Sequence, residues 1–160
     1  MFEFIKLMID HKTVVSNRKA FYEYHILEKY EAGMELLGSE VKSLREGNAN
    51  LKQAYVLIRK GQAWATGIHI KPYSHTGFEG HEAVRNRKLL LNSKEIQKIK
   101  AKLEQKGLTA IPLRIYFNKK GWAKLEIALA KGKKTYDKRN TIKERDIKRE
   151  SQREMSNRSK

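Results

Sequence analysis

Residues 111–129 read IPLRIYFNKKGWAKLEIAL. Ile111, Leu113, Ile115 and Phe117 alternate with other side chains, and Ala123, Leu125, Ile127 and Leu129 alternate again after Asn118-Lys119-Lys120-Gly121. A period of two sends successive side chains to opposite faces of a strand, so both arms are predicted as strands with these residues on one face. The four residues between them carry a glycine where positive φ is favoured, which predicts a hairpin. Pro112 has no N–H to give and belongs at a strand start or an edge.

The rest of the body follows the same logic. Residues 21–32, FYEYHILEKYEA, are long, aromatic and β-branched, and predict a strand that ends at Gly33. Residues 55–59 and 63–70 predict two strands around Lys60-Gly61-Gln62. Helices are predicted in two places. Ser39 caps a short one bearing Val41 and Leu44 and closed by Gly47. Asn92 and Glu95 form a capping-box pattern before Ile96, Ile99 and Leu103, and Gly107 stops that helix. Five or six strands with one or two helices favour a small closed barrel, mainly β, because closure leaves no exposed sheet edge.

The chain has 160 residues, with 35 Lys and Arg against 18 Asp and Glu, a formal charge of +17. That length suits one domain, here 1–130, plus an appendage, 131–160. Hydrophobic residues are 39% of the chain, enough for one modest core. The charge makes a polyanion the default partner, either nucleic acid or an anionic membrane surface. The chain has no cysteine, so it has no disulfide, thiolate metal site or cysteine nucleophile, which fits a reducing cytoplasm. No apolar run approaches the ~18 residues of a spanning helix. The opening MFEFIKLMID lacks a basic leader and a cleavage site, so it is expected to be a weakly packed lead-in.

Residues 131–160 carry 12 basic and 5 acidic side chains, a net of +7, and only Tyr136, Ile142, Ile147 and Met155 are sizeable apolar groups. So little apolar surface does not offset the entropy of ordering, and the tail is expected to be disordered alone. It is nonetheless written for a helix: Glu144 with Lys148 and Glu154 with Arg158 are i,i+4 pairs. A helix formed on a partner is the expectation.

No phosphate loop, dinucleotide fingerprint or nucleophile elbow occurs. His69, His75 and His81 are six apart, a spacing unlike that of zinc ligands, so no metal is expected. Glu31 is either a solvated carboxylate at a strand end or an acceptor for a nucleobase edge. Arg85, Arg87 and Lys88 put three cations beside Leu89-Leu90-Leu91 and Asn92, as either a solvated turn or a phosphate grip. Lys131, Gly132, Lys133, Lys134, Tyr136, Asp137, Lys138 and Arg139 interleave an aromatic with cations, the combination that stacks on bases and neutralises phosphates.

Four segments together resemble the small protein B family of bacterial SsrA-binding (tmRNA-binding) proteins. They are Glu31-Ala32-Gly33; Gly38-Ser39-Glu40-Val41-Lys42-Ser43-Leu44-Arg45; Arg85-x-Arg87-Lys88-Leu89-Leu90-Leu91; and Ala130-Lys131-Gly132-Lys133-Lys134-x-x-Asp137-Lys138-Arg139. The resemblance runs in order from about residue 13 to 150. It implies an oligonucleotide-binding-type (OB-fold) six-stranded closed barrel with about three short helices and a basic tail that turns helical on the ribosome. It implies binding to the tRNA-like domain of tmRNA, delivery of alanyl-tmRNA to stalled ribosomes, and sensing of the empty mRNA channel. The resemblance implies Glu31, Leu90 and Asn92 as the tmRNA-binding set, and Arg45, Arg85, Arg87 and Lys88 are expected to bind with them. It implies Tyr136, Asp137, Lys138 and Arg139 as contacts of the decoding centre and channel entry and Ile147 further along the channel, and Lys131, Gly132, Lys133, Lys134, Lys143 and Arg145 are expected to join them. A cytoplasmic monomer is implied, with no cofactor, metal, DNA or membrane partner and no enzymatic activity.

Two departures stand out. Tyr136 lies where the family often has histidine; a tyrosine stacks on a base but is uncharged at neutral pH. The loop Phe78–Val84 lacks the usual Asn-His-x-Pro form. Composition alone fits a general ribosomal or structural RNA-binding protein equally well, whereas an RNA-processing enzyme lacks any acid–base or metal constellation here.

Overall fold

The computed structural model describes residues 12–73 and 80–158; the lead-in, His11, His75 and the first part of the Phe78–Val84 loop lie outside them. In chain order the elements are β1 (Lys12–Ser16), α1 (Arg18–Glu23), β2 (Tyr24–Met34), α2 (Gly38–Arg45), β3 (Ala49–Asn50), β4 (Tyr55–Arg59), β5 (Gln62–Thr66), β6 (His69–Ile70), β7 (Arg87–Leu90), α3 (Ser93–Leu103), β8 (Leu108–Phe117), β9 (Ala123–Gly132) and α4 (Thr135–Arg158). The fold is mainly β with four helices among the described residues. One antiparallel sheet runs β1-β8-β4-β5-β7-β2-β9, β8 also pairs with β9, and β3 with β6 makes a small second ribbon.

The predicted hairpin is β8–β9, with two differences. Phe117 pairs with Ala123, so five residues turn the chain, not four. The Asn118 side-chain oxygen accepts from the N–H of Lys120 at 3.1 Å and of Trp122 at 2.9 Å, which draws the extra residue into the loop, and Gly121 takes φ +79 as expected. The second difference is a bulge: the register with β9 shifts between Pro112 and Arg114. One inserted residue reverses the parity of a strand. Ile115 therefore joins Ala110, Leu125, Ile127 and Leu129 in the main core, while Ile111 and Leu113 turn to a separate cluster with Ala20, Ala128 and Ala130. The expectation that residues 111–117 share one face is thus corrected. Pro112 sits at this bulge inside β8, where the ladder needs no N–H from it.

Asn17 ties α1 to the bulge. Its side-chain oxygen caps the helix by accepting the Ala20 N–H at 3.3 Å, and its amide nitrogen donates to the Pro112 carbonyl at 3.1 Å. This cap explains why residues 18–23, partly expected as strand, are helical. The following strand does not end at Gly33 but runs through it to Met34. A Cβ on Gly33 would stand 3.2 Å from the Leu90 Cβ, so glycine lets β7 approach β2 closely.

Lys60 and Gly61 both have positive φ, 52° and 71°, giving a two-residue turn between β4 and β5. The expected strand 63–70 is broken after Thr66. Gly67 adopts φ +80, and a Cβ there would meet the Gln53 carbonyl oxygen at 2.8 Å, so the chain bends and His69–Ile70 pairs with Ala49–Asn50 instead. Ser39 is not the cap of α2. Leu37 holds that position, and its N–H donates to Glu40 at 3.0 Å. Asn92 does occupy the N-cap of α3, and its N–H donates to Glu95 at 3.2 Å. That helix ends at Leu103, ahead of Gly107, which turns the chain into β8.

β9 carries the sheet through Gly132, so Lys131 and Gly132 are strand residues paired with His25 and Tyr24. Beyond them α4 runs 24 residues and buries none of them. No helix among the described residues is long and apolar enough to cross a membrane.

Candidate nucleic-acid interface

Beyond the bulge, β8 turns Arg114 and Tyr116 to the outer face of the sheet, beside Lys124 and Glu126 of β9 and Lys29 and Glu31 of β2. The cations there are held by carboxylates. Glu126 accepts from the Arg114 guanidinium and lies 3.4 Å from the Lys29 amine. Glu31 accepts from the Tyr116 hydroxyl and lies 4.0 Å from the Lys124 amine. The Arg114 guanidinium also stands 4.5 Å from the centroid of the Tyr116 ring. Burial, and then the Glu31 carboxylate, push the Tyr116 phenol above its ordinary value, so it stays a hydrogen-bond donor at neutral pH. Glu31 is thus neither a strand end nor a freely solvated carboxylate. One of its oxygens is fixed, yet its side chain is 53% exposed and its remaining lone pairs face outward.

Leu90 joins this face through Gly33, its partner across β2 and β7, and it is 55% exposed. Such an apolar side chain on an open sheet face suits contact with a base or sugar. Lys88 pairs with Trp64 on the same side of the sheet, and exposed Asn92 follows two residues after Leu90. Arg45 is exposed on α2, with its guanidinium 5.9 Å over the Phe117 ring.

Arg87 is a correction. Its side chain is fully buried and cannot grip a phosphate. It pairs with Glu40 and donates to the carbonyls of Ile68 at 2.7 Å, Ala83 at 3.0 Å and Arg85 at 3.2 Å. Arg85 is also committed largely inward: it pairs with the other Glu40 oxygen and reaches the Glu35 carbonyl at 3.4 Å. Burial alone would push the Glu40 carboxyl up; Arg85, the Leu37 N–H and Arg87 outweigh it and hold that carboxyl below its usual range. These two arginines fasten α2 to the segment leading into β7. They fix the frame on which Lys88, Leu90 and Asn92 stand.

His81 belongs to the same frame. Its Nε2 donates to the Ile70 carbonyl at 2.9 Å, which leaves Nδ1 to accept from the Ser39 hydroxyl at 2.9 Å. His69 is exposed in β6, and among the described residues no cluster of three or more metal-ligating side chains occurs.

The tail begins with a clamp. The Lys133 N–H donates to the Glu23 carbonyl at 2.8 Å, and its amine reaches the Phe21 carbonyl at 3.1 Å and the Thr141 hydroxyl at 2.8 Å. His25 and Asp137 meet at 3.4 Å. Past this clamp the expected contacts face outward. Tyr136 is 74% and Ile147 63% exposed, and Lys134, Arg139, Lys143 and Arg145 are exposed, with Lys138 half-buried.

A family model described as SmpB protein matches residues 14–157, nearly the whole chain. The chain belongs to the SmpB family. The SsrA-binding protein of Trichodesmium erythraeum (strain IMS101) is 56% identical over 143 residues, covering 89% of this chain and 91% of that protein. That of Sulfurihydrogenibium sp. (strain YO3AOP1) is 56% identical over 142 residues, covering 89% of this chain and 93% of that protein. A solved chain from a structure described as "tmRNA-SmpB: a journey to the center of the bacterial ribosome" superposes with a TM-score of 0.67 at 41% identity, over 80% of this chain and 93% of that one. The SmpB fold here gathers Glu31, Lys88, Leu90 and Asn92 on or beside one face and keeps the tail residues apart from them. Lys29, Arg114, Tyr116 and Lys124 escape the sequence patterns because the bulge that turns Arg114 and Tyr116 outward carries no mark beyond Pro112.

Proposed function

We propose that this chain binds tmRNA and serves trans-translation as an RNA-binding adaptor with no chemistry of its own. The folded body holds the tRNA-like domain, and the basic tail senses the empty mRNA channel of a stalled ribosome. Alanyl-tmRNA is delivered there and the nascent peptide is tagged for proteolysis. The observation that carries this reading is the outer face around Glu31. A sheet face meant only for phosphates would display free cations. This one fixes carboxylates among them and exposes Leu90, which favours recognition of a particular RNA shape and base edge. SsrA-binding relatives at 56% identity over most of their length support it.

The body is proposed as an OB-type barrel, since the pairings β8–β4–β5–β7–β2–β9 return to β8. The RNA set is Glu31, Arg45, Lys88, Leu90 and Asn92, with Arg85 and Arg87 supporting it from behind. The ribosomal set is Lys131 to Lys134, Tyr136 to Arg139, Lys143, Arg145 and Ile147. A helix that buries nothing gains little from tertiary packing, so α4 is proposed to draw its stability from ribosomal RNA. The protein is proposed to act as a monomer, and the ribosome as partner implies action in the cytoplasm. Competition binding tests the reading: strong preference for the tRNA-like domain over tRNA and ribosomal RNA fragments supports it, and equal binding to all favours a general RNA-binding protein.

A further inference from the structure

The face that α4 turns toward the body is unusual for a helix. Arg145, Lys148, Arg149 and Gln152 follow an i, i+3, i+4, i+7 spacing and so share one stripe. A stripe turned inward is normally apolar. Here it meets Arg18 and Phe21 of α1 across a cleft of about 320 Å³. Four cations from two elements line this space, and no carboxylate lines it with them. Like charges converging without a counter-charge in the cleft raise its positive potential, and an anion between the two helices is attracted there. Phe21, 42% exposed, supplies an aromatic surface beside those cations. Lys29 stands 5.9 Å from its ring centroid and connects the cleft to the outer sheet face.

We propose that this cleft is a second RNA site, which takes a single unpaired strand with its phosphates on Arg18, Arg145, Lys148 and Arg149 and one base on Phe21. Guanidinium forks match phosphate oxygens. An aromatic among them accepts any base by stacking, which an acidic peptide does not exploit. The site is separate from the Glu31 face. An RNA strand lodged there also binds α4 to α1 and gives the tail helix the partner its own sequence lacks.

The test uses the full chain and a fluorescently labelled ten-nucleotide oligoadenylate, titrated at several salt concentrations. Arg18→Ala with Arg149→Ala is expected to reduce the log–log salt slope by about 1.4, at about 0.7 per lost phosphate contact on a single strand. Lys102→Ala with Lys106→Ala removes the same charge from the last turn of α3 and the turn that follows it, and is expected to leave the slope unchanged. Phe21→Leu is expected to keep the slope and weaken binding about tenfold. Equal effects of the two charge pairs, wild-type affinity in Phe21→Leu, or equally effective competition by a ten-residue polyglutamate would each overturn the site. Affinity for the tRNA-like domain reads the sheet face separately and is expected to stay unchanged in these variants.

Discussion

The outer sheet face and helix α4 are both rich in cations, and they hold them differently. On the sheet, Arg114 and Lys29 share Glu126, and Lys124 and Tyr116 share Glu31, so each group is fixed before any RNA arrives. Behind that face, Glu40 binds Arg85 and Arg87 in the interior. On α4, no residue is buried, and most of its charged side chains are exposed and held by no carboxylate network like that of the sheet. A preorganised face gives up little entropy on binding and demands a matching shape. A helix without a core adapts to the surface it meets and gives up entropy as it orders. One region is therefore suited to recognising one RNA, the other to detecting whether a channel is open.

This contrast is open to direct attack. The largest effect is expected from ending the chain after Gly132. Peptide tagging on stalled ribosomes should disappear, while the unfolding free energy of the body should fall only by the worth of the two lost Lys133 hydrogen bonds to α1, about 1–3 kcal/mol. Surviving tagging would mean that the tail does not do the sensing.

Glu40→Gln comes next. It leaves the fully buried Arg87 without its counter-charge and should cost about 3–5 kcal/mol in urea unfolding. Glu150→Gln on α4 should cost no more than about 0.5 kcal/mol. Because Glu40 has a lowered pKa in the fold, its contribution is complete above the ordinary glutamate value of about 4.3 and is lost as pH falls through the lower folded value. The acid limb of stability against pH should therefore flatten in Glu40→Gln. An unchanged limb would show that the pair is not the coupling it resembles.

A smaller effect is expected at Tyr116. Tyr116→Phe keeps the ring under Arg114 but removes the hydroxyl that holds Glu31. Hydrogen bonds to charged groups are worth about 1.5–3 kcal/mol, so affinity for the tRNA-like domain should fall about tenfold or more. In a Glu31→Ala background the same change should do nothing further, and an undiminished effect there would separate the two residues. The smallest change is Asn92→Ala. Its N–H, which donates to Glu95, survives the change, and its side chain makes no cap hydrogen bond, so stability should fall by no more than about 0.5 kcal/mol, seen by melting. Binding measured well below the melting temperature then isolates its contact with RNA.

Much of this was legible in the sequence, and the exceptions have physical causes. The β8–β9 hairpin, the Lys60-Gly61 turn and the Asn92 cap rest on local chemistry and lie where the pattern puts them. The face of Ile111 and Leu113 depends on a single inserted residue, and nothing local distinguishes a bulge from continued alternation. Arg87 looks like a phosphate grip because a run of cations is normally solvated. Its burial depends on Glu40, 47 residues away. Gly33 looks like a terminator and proves to be a point of close strand approach, which only its partner Leu90 reveals. The Glu31 setting needs β2, β8 and β9 at once, so sequence left its two roles open.

The most direct test is the affinity of the chain ending at Gly132 for the tRNA-like domain of tmRNA, beside that of the full chain, with ordinary tRNA as competitor. If the face around Glu31 and Leu90 holds that RNA by itself, the shortened chain keeps most of the affinity and the full preference over tRNA. Loss of that preference along with the tail would contradict the account.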